Sequence, residues 1–236
     1  MLRNCFLSGH VERTMSSTIS YGWNEAAEAL AAQAKAASRV VLKDGFANPL
    51  RTIAGCTVGF EQDGAIVRAV AVLLDAVTLQ PIATQAARVQ AAMPYIPGML
   101  SFRALPALLA VLDLLPRQPD LVLVDGHGIA HPRRLGLAAH FGVATGLPTI
   151  GVATSILVGD GIVPHQTRGA YTALRDRGEQ TGWLLRSKVE CDVLVVSPGH
   201  RVAMASAADL VMRYVTSAHR LPEPLRLALE PDSGRD

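Results

Sequence analysis

The sequence predicts an α/β fold, and three observations carry that prediction. Leu121 to Val124 is a continuously apolar run, the pattern of a strand buried on both faces. Thr149 to Ala153 is a second such run, and a helical pattern from Leu135 to Thr145 lies between the two. Half of the 236 residues are hydrophobic and 18% are charged, so the chain can bury a sizeable core and does not have the composition of a disordered segment.

The elements follow in order. Trp23 to Leu42 is alanine-rich, with Glu25, Glu28 and Lys35 on a polar side. It reads as one helix, with Asn24 as N-cap and its end near Lys43-Asp44-Gly45. Phe46 to Leu50 is a loop. Thr52 to Phe60 is a first strand, Gly64 turns the chain, and Ala65 to Asp75 is a second strand that closes a hairpin. Gln80 to Met93 reads as a third strand passing into a loop. Leu100 to Leu115 is an amphipathic helix ended by the segment from Pro116 to Pro119. After Ala153 the stretch from Gly159 to Gly178 is loop-like, with His165, Arg168, Arg175 and Arg177 solvated. Thr181 to Arg186 and Val193 to Ser197 form an antiparallel pair, and Val202 to Val215 is a helix. Residues 219–236 are proline-rich and turn polar. The expected organisation is an extension over 1–20, one domain over 21–230 and a tail over 231–236.

Composition narrows the function. A net charge of +2 excludes a globally basic nucleic-acid binder, so any such surface must be local. Aromatics at 5% argue against a platform that stacks several bases. Cys5, Cys56 and Cys191 have no metal-ligand spacing and fit a reducing compartment. No run is long enough to span a membrane and the first residues make no signal peptide, so the expected location is the cytoplasm.

The chemistry-bearing stretch is Asp120 to Gly142. Its apolar run stops at Asp125, followed by Gly126-His127-Gly128, then His131-Pro132-Arg133-Arg134. An acid at the carboxyl end of a central strand, followed by a glycine-rich turn, stands where open α/β sheets bind ligands. Glycine lets backbone approach a substrate, and paired arginines near a helix start can hold phosphate. A second stretch, Met93-Pro94-Tyr95-Ile96-Pro97-Gly98, brackets an aromatic and a branched residue between prolines. A rigid loop of that kind either wedges between stacked bases or buries both side chains as a connector.

Several motifs in one order resemble the endonuclease V family, which nicks DNA or RNA near inosine. They are I-A-G-x-x-V-G-F-E at 53–61, M-P-Y-I-P-G-x-L-S-F-R at 93–103, P-D-L-V-x-V-D-G-H-G-I-x-H-P-R-R-L-G at 119–136, P-T-I-G-V-A at 148–153, G-H-R-V at 199–202 and R-L-P-E-P at 220–224. The resemblance covers roughly Trp23 to Leu227. It implies an RNase H-like fold, a mixed central sheet with helices on both faces, in a phosphodiester hydrolase that uses Mg²⁺ and acts as a monomer. It implies that Pro94, Tyr95, Ile96 and Pro97 form a strand-separating wedge. Gly98, Gly126, His127, Gly128 and Gly151 would belong to the region that accepts a flipped base. His131, Arg133 and His140 would lie near phosphates.

The resemblance also implies an acidic cluster around Mg²⁺, a hard cation that needs oxygen ligands. Here the chain departs from the family. Thr57 stands where the family carries Asp, Ala104 where it carries Glu, and Thr154 where a Lys is usual. Near Leu229 an ionisable residue is often found. Of the acids, Asp125 remains. Glu61 is on the same strand as Thr57 and roughly 13 Å away at about 3.3 Å per residue, so it is no direct substitute.

Three functions are therefore weighed. One is a protein that binds inosine-containing or distorted nucleic acid with cleavage impaired. Another is an active repair nuclease with a relocated metal site. The third is an enzyme repurposed for a nucleotide or small ligand, using Cys56, Thr57, His127 and His131. Against the last, Cys56 reads as a small core residue whose side chain faces away from that of Thr57.

Overall fold

The computed structural model describes residues 26–230. The expected extension over 1–20, the Asn24 cap and the tail over 231–236 lie outside the described residues. One eight-stranded sheet organises the rest. Its strands are β1 (Thr52–Glu61), β2 (Ile66–Asp75), β3 (Pro81–Gln90), β4 (Leu121–Asp125), β5 (Thr149–Ala153), β6 (Tyr171–Asp176), β7 (Glu179–Leu185) and β8 (Leu194–His200). Across the sheet they run β3-β2-β1-β4-β5-β8-β7-β6. The central three, β1, β4 and β5, are parallel, and the pairs on either side are antiparallel. The sheet is therefore mixed, as expected.

Alternation along the central strands sorts their side chains to two faces. Ala54, Cys56, Val122 and Val124 join Ala69, Ala71 and Leu73 against helices α2 (Leu100–Asp113) and α3 (Leu137–Thr145). Ile53, Leu121, Leu123, Ile150 and Val152 face the other way, against α4 (Met204–Arg213) and α5 (Glu223–Leu229). Leu121 to Val124 are each fully buried, which is why that segment carries no polar residue before Asp125. Helix α1 (Ala26–Ala37) lies to one side of these layers. Its Ala29 packs with Met93, Met99 and Phe102, and Ala36 and Ala37 pack against Ile129, Leu135 and Ala139.

Two expectations are corrected. The stretch expected to be loop from Gly159 to Gly178 contains β6, whose Leu174 is fully buried. Its Arg168 is also not simply solvated, because its guanidinium donates to the Val215 carbonyl at 2.6 Å. The proline-rich end contains α5. Pro222 and Pro224 flank its first residue, where a fixed φ and a missing N–H cost nothing. They start the helix; read along the sequence, they look like breakers. Glu223 is buried there and accepts two hydrogen bonds from Arg226 Nε, at 3.1 and 3.0 Å, and one from Arg226 Nη2 at 2.7 Å.

Helix α5 lies so close to β1 that the strand must carry glycine. A Cβ at Gly55 would stand 2.1 Å from the Pro224 carbonyl oxygen. Gly55→Ala is accordingly expected to cost about 1–3 kcal/mol through overpacking. Thermal denaturation would read this as a fall in Tm of several degrees; an unchanged Tm would refute the close approach.

Candidate nucleic-acid interface

Asp125 ends β4, and the parallel register continues from the pair Cys56 and Val124, so Thr57 stands beside it on β1. Neighbouring strands lie about 4.8 Å apart. Asp125 is half-buried, and burial raises its pKa above the usual carboxylate range. Thr57 is buried and its hydroxyl donates to the Ala228 carbonyl of α5 at 3.2 Å. Ala104 is fully buried in the core between α2 and the sheet. Thr154 is exposed just past β5. Glu61 is held by Arg88 at 3.1 Å and Arg68 at 4.0 Å, so it is engaged away from Asp125. Among the described residues no group of three or more His, Cys, Asp or Glu is placed to hold a metal ion.

The turn after Asp125 is fastened by backbone on three sides. Gly126 N–H donates to Val152 O at 3.1 Å, Ile129 N–H to Pro198 O at 2.9 Å and Ala138 N–H to His127 O at 3.0 Å. Ser197 Oγ accepts from Ala130 N–H and donates to Thr181 O, each at 2.8 Å. Such packing leaves no room for side chains. A Cβ at Gly151 would meet Gly128 N at 2.4 Å, and one at Gly128 would meet Pro198 O at 2.2 Å. The glycines read from sequence as room for a ligand therefore also serve backbone-to-backbone contact.

The charged and ring groups around this turn are mostly committed. His127 Nε2 hydrogen-bonds the Ser155 carbonyl at 3.0 Å, and burial lowers its pKa. His131 is buried and accepts from Arg133 N–H through Nδ1 at 3.2 Å. Burial, then the nearby Arg133, brings its pKa down to about 4. His140 is buried, shares a hydrogen bond with Ser101 Oγ at 3.1 Å and lies 4.5 Å from the Phe102 ring. Burial brings its pKa to about 4 as well. Both rings are neutral near pH 7 and bring no positive charge to this region.

Arg133 bonds Gln33 Oε1 through Nε and the Gly98 carbonyl through Nη2 at 2.8 Å. Arg134 pairs with Asp176 at 2.8 Å and Glu179 at 3.1 Å. Both half-buried arginines are thus tied into the fold, Arg133 through Nε and Nη2 and Arg134 through its two carboxylate partners. His200 Nδ1 accepts the Val41 N–H at 3.3 Å. Cys56 is fully buried and its thiol is pushed up to about 12, which suits a core residue and not a nucleophile.

The Pro94–Pro97 turn divides in two. Tyr95 is 65% exposed, with Pro94 and Pro97 exposed beside it. Ile96 turns inward onto Ala29, Met93, Met99 and Phe102. Tyr95 is thus presented to solvent while Ile96 anchors the loop.

A family model for endonuclease V matches residues 34–230. The chain belongs to the endonuclease V family. Endonuclease V of Xanthomonas campestris pv. campestris is 54% identical over 217 residues, 92% of each chain. The crystal structure of endonuclease V from Streptomyces avermitilis is 38% identical, covers 88% of this chain and 91% of its own, and superposes with a TM-score of 0.82. Endonuclease V of Ciona intestinalis, crystallised with a 24-mer DNA containing an inosine followed by a ribo-adenosine, is 22% identical. It shares the fold with a TM-score of 0.73 over 86% of this chain and 93% of its own. The fold is thus the RNase H-like one of endonuclease V. No helix among the described residues is long and apolar enough to cross a membrane.

The residues that hold this region together were partly hidden in the sequence. Gln33 and the Ala228 carbonyl lie outside every quoted motif, and Ser101 lies within the 93–103 motif without a role read for it. Gln33 left one signal: it sits on the stripe of Ala29, Ala36 and Ala37, where a polar side chain must find partners.

Two pH effects follow. His131 and His140 take up protons near pH 6.5 when unfolded but near 4 when folded. Their stabilising contribution is complete above about 6.5 and is lost as pH falls towards 4, by up to about 3 kcal/mol per ring. Melting curves across that range should show Tm falling, with a shallower fall for His140→Gln. Asp125 acts in the opposite sense, since its ionisation costs stability once pH exceeds the ordinary carboxylate range. Asp125→Asn should raise Tm at pH 7, and a lowered Tm would contradict the burial argument.

Proposed function

We propose that this member of the endonuclease V family binds inosine-containing or distorted DNA or RNA, with strand cleavage absent or severely weakened. The observation that carries the reading is the state of the two positions where the resemblance implies acids. Thr57 offers a hydroxyl already given to Ala228, and Ala104 offers a buried methyl group. Asp125 is left as a half-buried carboxyl.

Such a donor set does not fit Mg²⁺. This cation keeps several waters and is anchored through carboxylates and phosphates, which also offset its charge. A raised pKa at Asp125 further weakens its one anionic anchor. Such a site supports no metal-assisted hydrolytic step. What supports binding is the exposed Tyr95 between two prolines, and the backbone turn at 126–128 at the end of the central strand. An aromatic on a stiff loop can occupy the gap left by an extruded base, and backbone groups can read the base edge. The Ciona relative's complex with inosine-containing DNA points to the same ligand class.

Binding and cleavage are measured together. A duplex with one inosine should bind more tightly than the matched plain duplex, and no nick should appear with Mg²⁺ or Mn²⁺. Thr57→Asp combined with Ala104→Glu should bring nicking back. Nicking by the native protein that Asp125→Ala abolishes would establish an active nuclease instead. Equal affinity for both duplexes would remove the inosine claim.

A further inference from the structure

We infer that Gln33 is a positioning residue for the Tyr95 turn, holding it rigid through the Gly98 carbonyl so that the turn can separate paired strands. The inference rests on the reading above, in which the turn enters nucleic acid. Gln33 is fully buried on α1, 65 positions from the turn. Its Nε2 donates to Gly98 O at 3.0 Å, and its Oε1 accepts from Arg133 Nε. Arg133 closes the triangle by donating from Nη2 to the same Gly98 carbonyl at 2.8 Å. One amide thus satisfies a carbonyl of the turn and orients the arginine that also holds it. Gly98 has φ +76, a left-handed conformation that glycine adopts freely and that fixes the direction in which the chain leaves Pro97.

The apolar side of the turn is held from the same helix. Ile96 packs with Ala29, one turn before Gln33, and with Met93, Met99 and Phe102. Tyr95 is therefore presented on a loop whose inner residue and whose following carbonyl are both tied to α1. A wedge acts by displacing a stacked neighbour, and a compliant loop would yield before the bases did. Gln33 is buried away from base and phosphate, and its effect passes through Gly98 to Tyr95.

The full-length protein is tested on an inosine duplex carrying 2-aminopurine beside the inosine, and on the same inosine strand alone. Gln33→Met keeps length and linearity but cannot hydrogen-bond. Gln33→Glu keeps the acceptor for Arg133 and loses the donor to Gly98, which covers the case of a poorly folding Met variant. For either, duplex affinity should fall about tenfold and the 2-aminopurine signal should drop. Base–aromatic stacking of about 1–3 kcal/mol sets that scale, at about 1.4 kcal/mol per tenfold. Affinity for the single strand, which needs no separation, should change by less than about twofold. In a Tyr95→Ala background, Gln33→Met should add little, because the two act as one unit.

Equal losses on duplex and single strand would mean a general structural role and overturn the inference. An unchanged duplex affinity and signal would overturn it too. A native protein that leaves the 2-aminopurine signal flat would bring down the wedge reading itself, and this inference with it.

Discussion

The arrangement depends on the double-sided burial of β1, β4 and β5. With helices on both faces, no polar side chain is accommodated along Leu121 to Val124, and polar chemistry is pushed to the strand ends. Asp125 is where β4 first reaches solvent. The turn after it cannot drift, because its amides and carbonyls are bound to β5, β8 and α3. That fastening makes the place suitable for recognition by backbone. It also explains the glycines on both sides of the contact, since two main chains meet there with no space for side chains.

The arginines around the turn after Asp125 are engaged with partners inside the fold. Arg133 and Arg134 look free in the sequence but are tied to Gln33, Gly98, Asp176 and Glu179. The histidines near the turn are buried enough to stay neutral. A nucleic acid approaching this region would meet dipoles, hydrogen-bond groups and an exposed tyrosine more than a field of cations. Shape and base-edge contacts would then weigh more than salt-dependent attraction to phosphates.

Much of this was legible beforehand. The central strands were readable because complete burial leaves an uninterrupted apolar run, and the Pro94–Pro97 turn because two prolines declare its stiffness. What escaped did so for physical reasons. In β6 only Leu174 is fully buried, so its pattern resembles that of a loop. Helix α5 hides behind Pro222 and Pro224, which favour a helix start yet read as breakers. The partners of these arginines could not be foreseen, because Gln33, Gly98, Asp176 and Glu179 lie 35 or more positions away along the chain. Gln33 was visible only as a polar residue out of place on an apolar stripe.

The hydrogen bond from Thr57 to Ala228 spans 171 positions of chain. The face of β1 that bears Gly55 and Thr57 receives its cover from α5, an element translated after every strand of the sheet. During synthesis, then, the middle of the sheet can assemble while one side of it still stands bare. Nascent chains of this protein pass through an interval in which a greasy surface awaits its lid, and that interval is when chaperones would find most to hold.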